Sequence, residues 1–143
     1  MKEDKIFKYK FTDNINDIAR LESIVHSMGE EWGIDEKLQF SINIVLEELI
    51  SNTIFYGFAN KDSSNEINIE AVKKTDEILI TLSDNAIAFN ILEQEEKELS
   101  DKSLEEQEVG GLGIHFIKKL TSFIKYNRKN GFNYLTLSFI LKL

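Results

Sequence analysis

The chain has 143 residues, with 17 Lys and Arg against 25 Asp and Glu for a formal net charge of −8, 42% apolar residues, no cysteine and no proline. That length suits a single domain over residues 1–143, the acidic balance argues against a direct nucleic-acid surface, and the lack of cysteine excludes a disulfide scaffold, a thiolate zinc site and a cysteine nucleophile. No run approaches the ~18 apolar residues of a membrane span and residues 1–10 lack a signal-peptide core, so a cytoplasmic protein without a membrane partner is expected.

Residues 5–11 alternate Phe7, Tyr9 and Phe11 with charges and predict an edge strand. Thr12, Asp13 and Asn14 offer helix caps before Ile15, Ile18, Leu21, Val25, Met28 and Trp32, which recur at helical spacing until Gly33. Asp35 can cap a second helix whose apolar stripe is Leu38, Ile42, Val45, Leu46, Leu49 and Thr53, ending near Gly57. A polar loop over 60–65 precedes strands at 66–72 and 77–83, with a turn at 73–76. Residues 93–108 hold eight carboxylates and two lysines with few apolar anchors, which reads as a solvated segment of helical tendency. A third helix over 113–120, a strand over 122–127, an Asn130-Gly131 turn and a last strand over 132–141 complete the chain. The order β-α-α-β-β-loop-α-β-β favours an α/β two-layer sandwich, with a mixed, mainly antiparallel sheet and helices on one face.

Three stretches could carry chemistry. On the second helix, Asn52 lies about 70° from the centre of the apolar stripe, Glu48 about 110° and Glu47 about 150°. Glu47 is therefore a solvent carboxylate, while Glu48 and Asn52 are i,i+4 neighbours on a flank beside apolar surface, open either to a local hydrogen bond or to a ligand. Ser83-Asp84-Asn85-Ala86-Ile87-Ala88-Phe89-Asn90 places an acid at a strand end, before small residues that would admit a flat ligand. An ordinary Asp-Asn turn is the alternative. Glu108-Val109-Gly110-Gly111-Leu112-Gly113-Ile114 puts glycines before a helix, where bare N–H groups and the helix dipole favour an anion, or where a hinge would serve. Neither the Walker nor the Rossmann pattern is met.

Taken in order, the three stretches resemble the ATP-binding boxes of the GHKL superfamily, and specifically its small anti-sigma-factor serine/threonine kinases of bacteria. Leu46-Glu47-Glu48-Leu49-Ile50-Ser51-Asn52 through Phe58 is similar to the N-box, residues 84–90 to the first glycine box and residues 110–114 to the second. The resemblance implies the histidine-kinase-like ATPase fold, a lid over about 91–109, and ATP with Mg²⁺ as ligands. By it, Asn52 would hold Mg²⁺ and Glu48 would be the general base on a serine or threonine hydroxyl. Asp84 would read the adenine amine beside Ala86, Ala88 and Phe89, and Gly110, Gly111, Leu112 and Gly113 would wrap the phosphates. The implied partners are an anti-sigma antagonist protein that is phosphorylated and a sigma factor that is bound, with a homodimer left open. The chain departs from that pattern at Ala86 and Ala88, where relatives usually and often carry glycine, at Tyr56, where histidine is frequent, and in its acidic lid. If residue 86 needs φ > 0, alanine there is strained by about 1 kcal/mol. ATP binding is thus better supported than kinase turnover, and a nucleotide-sensing binding module of the same fold is the alternative.

Overall fold

The computed structural model describes residues 5–93 and 113–141. Most of the expected lid, together with Gly110, Gly111 and Leu112, lies outside the described residues. Strand β1 (Ile6–Phe11) buries Phe7 and Phe11, with the Phe7 ring edge-on to Trp32 at 5.0 Å. The first helical segment is split: Asn14 caps a 3₁₀ turn (Ile15–Ala19) through the Asn16 N–H, and α1 (Arg20–Trp32) follows. Asp17 accounts for the tight start, because its carboxylate accepts from the Thr12 N–H at 2.9 Å and from Arg20 Nε at 2.6 Å. Gly33 ends α1 at φ 66°, and Asp35 caps α2 (Glu36–Asn52) by accepting from the Leu38 N–H at 2.8 Å.

Strands β2 (Ile67–Lys73), β3 (Glu77–Asp84), β4 (Phe123–Lys129) and β5 (Phe132–Ile140) complete a sheet of order β1-β2-β3-β5-β4. Each neighbouring pair is antiparallel, so the expected mainly antiparallel sheet has no parallel pairing among the described residues. The β4–β5 turn sets both Asn130 (φ 52°) and Gly131 (φ 81°) in the left-handed region, as a two-residue hairpin that matches strand twist requires. Ile67, Ile69 and Ala71, then Ile78, Ile80 and Leu82, then Leu137 and Phe139 form one face of the sheet. They join Leu21, Val25 and Met28 of α1 and Ile42, Val45, Leu46, Leu49 and Ile50 of α2 in one core. Helix α3 (Ile114–Leu120) packs against α2 and adds Ile117 to that core. Along α2 the buried surface also takes in Ile50, which the predicted stripe leaves out.

Candidate functional site

At the C-terminal end of α2 the helical phasing holds. Glu47 is exposed, whereas Glu48 and Asn52 are half-buried, and Asn52 Nδ2 donates to Glu48 Oε1 at 3.4 Å. The pair is one helical turn apart on the flank of the core, and committing Nδ2 to the carboxylate turns Asn52 Oδ1 the other way.

Immediately after Asn52 the helix widens into a single π-helical turn (Thr53–Gly57), which leaves Phe55 and Tyr56 exposed with their rings 6.4 Å apart. This turn delivers Gly57 to the loop that follows β3. The Gly57 carbonyl accepts the Ile87 N–H at 3.2 Å, and a Cβ on Gly57 would stand 3.0 Å from Ala86 Cβ. A methyl at residue 57 would therefore crowd the methyl at residue 86.

Asp84 closes β3 opposite Asn133 of β5. Its Oδ1 accepts both the Ala86 N–H at 3.1 Å and Asn133 Nδ2 at 2.9 Å, and no hydrogen bond from the described residues falls on Oδ2. Burial pushes the Asp84 carboxyl above the usual carboxylate range, against the opposing pull of the Asn133 and Ala86 donors and the Arg128 charge. The loop beyond it is tied down on several sides. Arg128 Nη1 donates to the Ala86 carbonyl at 2.9 Å, and Asn133 Nδ2 donates to the Ile87 carbonyl at 2.8 Å. Asn133 Oδ1 accepts the Phe89 N–H at 3.2 Å, and Asn85 bridges to the Ser64 carbonyl at 2.7 Å and the Glu66 N–H at 2.9 Å.

Ala86 departs from one expectation. It is 6% exposed, and the only non-glycine residue with positive φ among the described residues is Asn130. Residue 86 thus carries no left-handed strain, and its methyl fills space against Gly57. Ala88 is exposed, and Phe89 is 48% exposed beside it. Gly113 stands before α3, where its carbonyl accepts from the Phe116 N–H at 3.0 Å. His115 sits half-buried on that helix.

The structure therefore joins Glu48 to Asn52 directly, and joins the end of that helix to the Asp84 loop through the Gly57–Ala86 contact. Three residues of this arrangement were not singled out by motif: Arg128, Asn133 and Tyr126, whose hydroxyl donates to Asn133 Oδ1 at 2.6 Å. Asn133 carries a signal in hindsight, since it is the one polar member of the inward row Asn133, Leu135, Leu137 and Phe139. Among the described residues no group of three His, Cys, Asp or Glu side chains could cage a metal, and no helix is long and apolar enough to cross a membrane.

Comparison with known proteins bears on this geometry. The family model described as a histidine kinase-like ATPase domain matches residues 11–139. The serine/threonine-protein kinase BtrW of Bordetella bronchiseptica is 22% identical over 112 residues, covering 78% of this chain and 76% of BtrW. The crystal structure of the RsbU and RsbW domains of Rv1364c from Mycobacterium tuberculosis superposes with a TM-score of 0.67 at 16% identity over 97% of this chain, which spans about a third (33%) of that longer protein. The histidine kinase domain of the blue-light activated EL346 kinase from Erythrobacter litoralis gives a TM-score of 0.53 at 12% identity, over 92% of this chain and 62% of that one. With a family match that runs from the end of β1 to the penultimate residue of β5, the chain belongs to the histidine kinase-like ATPase domain family.

Proposed function

We propose that the chain binds ATP with Mg²⁺ between α2 and the Asp84 loop, and acts as an anti-sigma regulatory serine/threonine kinase that phosphorylates an antagonist protein and binds a sigma factor. The observation that carries this reading is the π-turn junction. Gly57 abuts Ala86, so the Glu48–Asn52 pair and Asp84, two polar stations more than 30 residues apart in sequence, belong to one edge of the sandwich. Similarity to BtrW supports the choice of protein kinase over other ATPases.

Within that site each side chain has a distinct task. Asp84 Oδ2 would accept a hydrogen bond from the adenine amine, and the loop to Phe89 would flank the base. Asn52 Oδ1 would be the chain's ligand to the cation. A single amide oxygen suits magnesium, which takes oxygen ligands, retains waters and lowers the charge repulsion that opposes phosphoryl transfer. Glu48, half-buried and already oriented by Asn52, would accept the proton of the incoming serine or threonine hydroxyl as its oxygen attacks. Gly113 would close the site at the start of α3 together with Gly110, Gly111 and Leu112.

One feature favours the second reading, a nucleotide-sensing module without turnover: residues 93–108 offer only Lys97 and Lys102 as cations to a triphosphate. The two are separated by incubating the chain with radiolabelled ATP, Mg²⁺ and candidate antagonist proteins. Label on an antagonist serine or threonine establishes the kinase, whereas tight binding with every γ-phosphate retained establishes the module. An absence of nucleotide binding would overturn both.

A further inference from the structure

Asn133 is 7% exposed, and all of its side-chain hydrogen-bonding capacity is used. Nδ2 donates to Asp84 Oδ1 at 2.9 Å and to the Ile87 carbonyl at 2.8 Å, while Oδ1 accepts the Phe89 N–H at 3.2 Å and the Tyr126 hydroxyl at 2.6 Å. An amide has two donor hydrogens and two acceptor lone pairs, so this set is complete. It also admits one orientation of the amide. A half-turn would set Oδ1 against the carboxylate of Asp84 and the Ile87 carbonyl, and Nδ2 against the Phe89 N–H.

We infer that Asn133 is a positioning residue that makes the site selective for a 6-amino purine over a 6-oxo purine, by pinning Asp84 through Oδ1 so that Oδ2 is presented as a fixed acceptor. The inference rests on the reading of Asp84 as the base-contacting carboxylate. A 6-amino group donates to such an oxygen, whereas a 6-oxo group brings oxygen against oxygen, and a desolvated mismatch of this kind is what a polar site rejects most strongly. Selectivity needs Asp84 to be both oriented and unprotonated on the side that faces the base. The Asn133 donor favours the ionised form against burial, and Arg128 from β4 adds to it. Tyr126 acts one step further out, since its hydroxyl on Oδ1 fixes which end of the amide meets Asp84.

The test uses the full chain with Mg²⁺ and compares ATP with inosine triphosphate, its 6-oxo counterpart, by calorimetric titration of wild type, Asn133→Ala and Tyr126→Phe. In Asn133→Ala the preference for ATP over inosine triphosphate falls by about tenfold, the order expected for losing one buried charge-assisted hydrogen bond. Tyr126→Phe keeps the ring and the fold and lowers the same ratio by a smaller factor, about threefold, so it decides the matter if Asn133→Ala does not fold. Equal weakening of both nucleotides, with the ratio unchanged in the variants that fold, is what a merely structural role gives and overturns the inference while leaving the Asp84 reading intact. A wild-type chain that binds both nucleotides equally removes the Asp84 reading, and the inference falls with it.

Discussion

The two polar stations of this molecule are built in opposite ways. At the end of α2, Glu48 and Asn52 meet through a long hydrogen bond of 3.4 Å on a half-buried helix flank. At the end of β3, Asp84 and its loop exchange hydrogen bonds of 2.8 to 3.2 Å with Arg128 of β4, Asn133 of β5 and the loop's own backbone. The contrast fits a division of labour. Reading a flat base needs a fixed edge, and rigidity supplied before binding costs nothing at the moment of binding. Groups that meet a cation, a phosphoryl group and a second protein are better left able to tighten when those arrive, as catalytic hydrogen bonds commonly do.

The sharpest way to break this contrast is chemical. Glu48→Gln preserves size and the contact to Asn52 but cannot take a proton, so phosphoryl transfer to an antagonist falls by ~10²–10⁴-fold while ATP affinity holds. Glu47→Gln, exposed on the far side of the helix, leaves both unchanged. Loss of transfer in the Glu47 variant alone, read by autoradiography, would mean the base is on the other face.

Next in size is the cation. Asn52→Ala removes the one oxygen assigned to magnesium and weakens Mg²⁺-dependent ATP binding by about tenfold, the scale of one charge-assisted contact, with little change in melting temperature. Titration with and without Mg²⁺ checks this, and equal Mg²⁺ dependence in mutant and wild type rules the assignment out.

The junction between the stations should respond as a packing pair. Gly57→Ala places a methyl 3.0 Å from Ala86 Cβ and costs about 1–3 kcal/mol by overpacking. Ala86→Gly deletes one buried methyl and costs about 1 kcal/mol, with no relief of strain. Because Ala86→Gly makes room for the methyl of Gly57→Ala, which in turn fills the space left, the double variant should be more stable than the sum of the singles by about 1 kcal/mol, measured by denaturant unfolding. Strict additivity would show that the two elements do not bear on each other.

What the sequence made legible was local. The Phe7, Tyr9, Phe11 alternation, the Asp35 cap, the exposed Glu47 beside half-buried Glu48 and Asn52, and the Asn130-Gly131 turn all follow from spacing or turn chemistry within a few residues. What it hid depends on register. Asn133 meets Asp84 across 49 residues, and Gly57 meets Ala86 at the end of a π turn, which no periodicity announces. The notion that Ala86 replaces a needed glycine failed for the same reason, since a residue's φ is set by partners such as Gly57 and Arg128 that lie elsewhere in the chain.

Asp84→Asn tests the central claim, that this edge is a nucleotide site organised around one partly buried carboxylate, most directly. The amide oxygen can still accept from Asn133 and the Ala86 N–H, and the burial cost of the charge disappears. That cost applies above the raised folded-state pKa of Asp84 and is relieved as pH falls through it, so the variant should be as stable as wild type or more so at neutral pH. Calorimetric titration at neutral pH with Mg²⁺ should then show ATP affinity reduced by about 10²-fold in a fully folded protein. Undiminished ATP binding by folded Asp84→Asn would contradict the account.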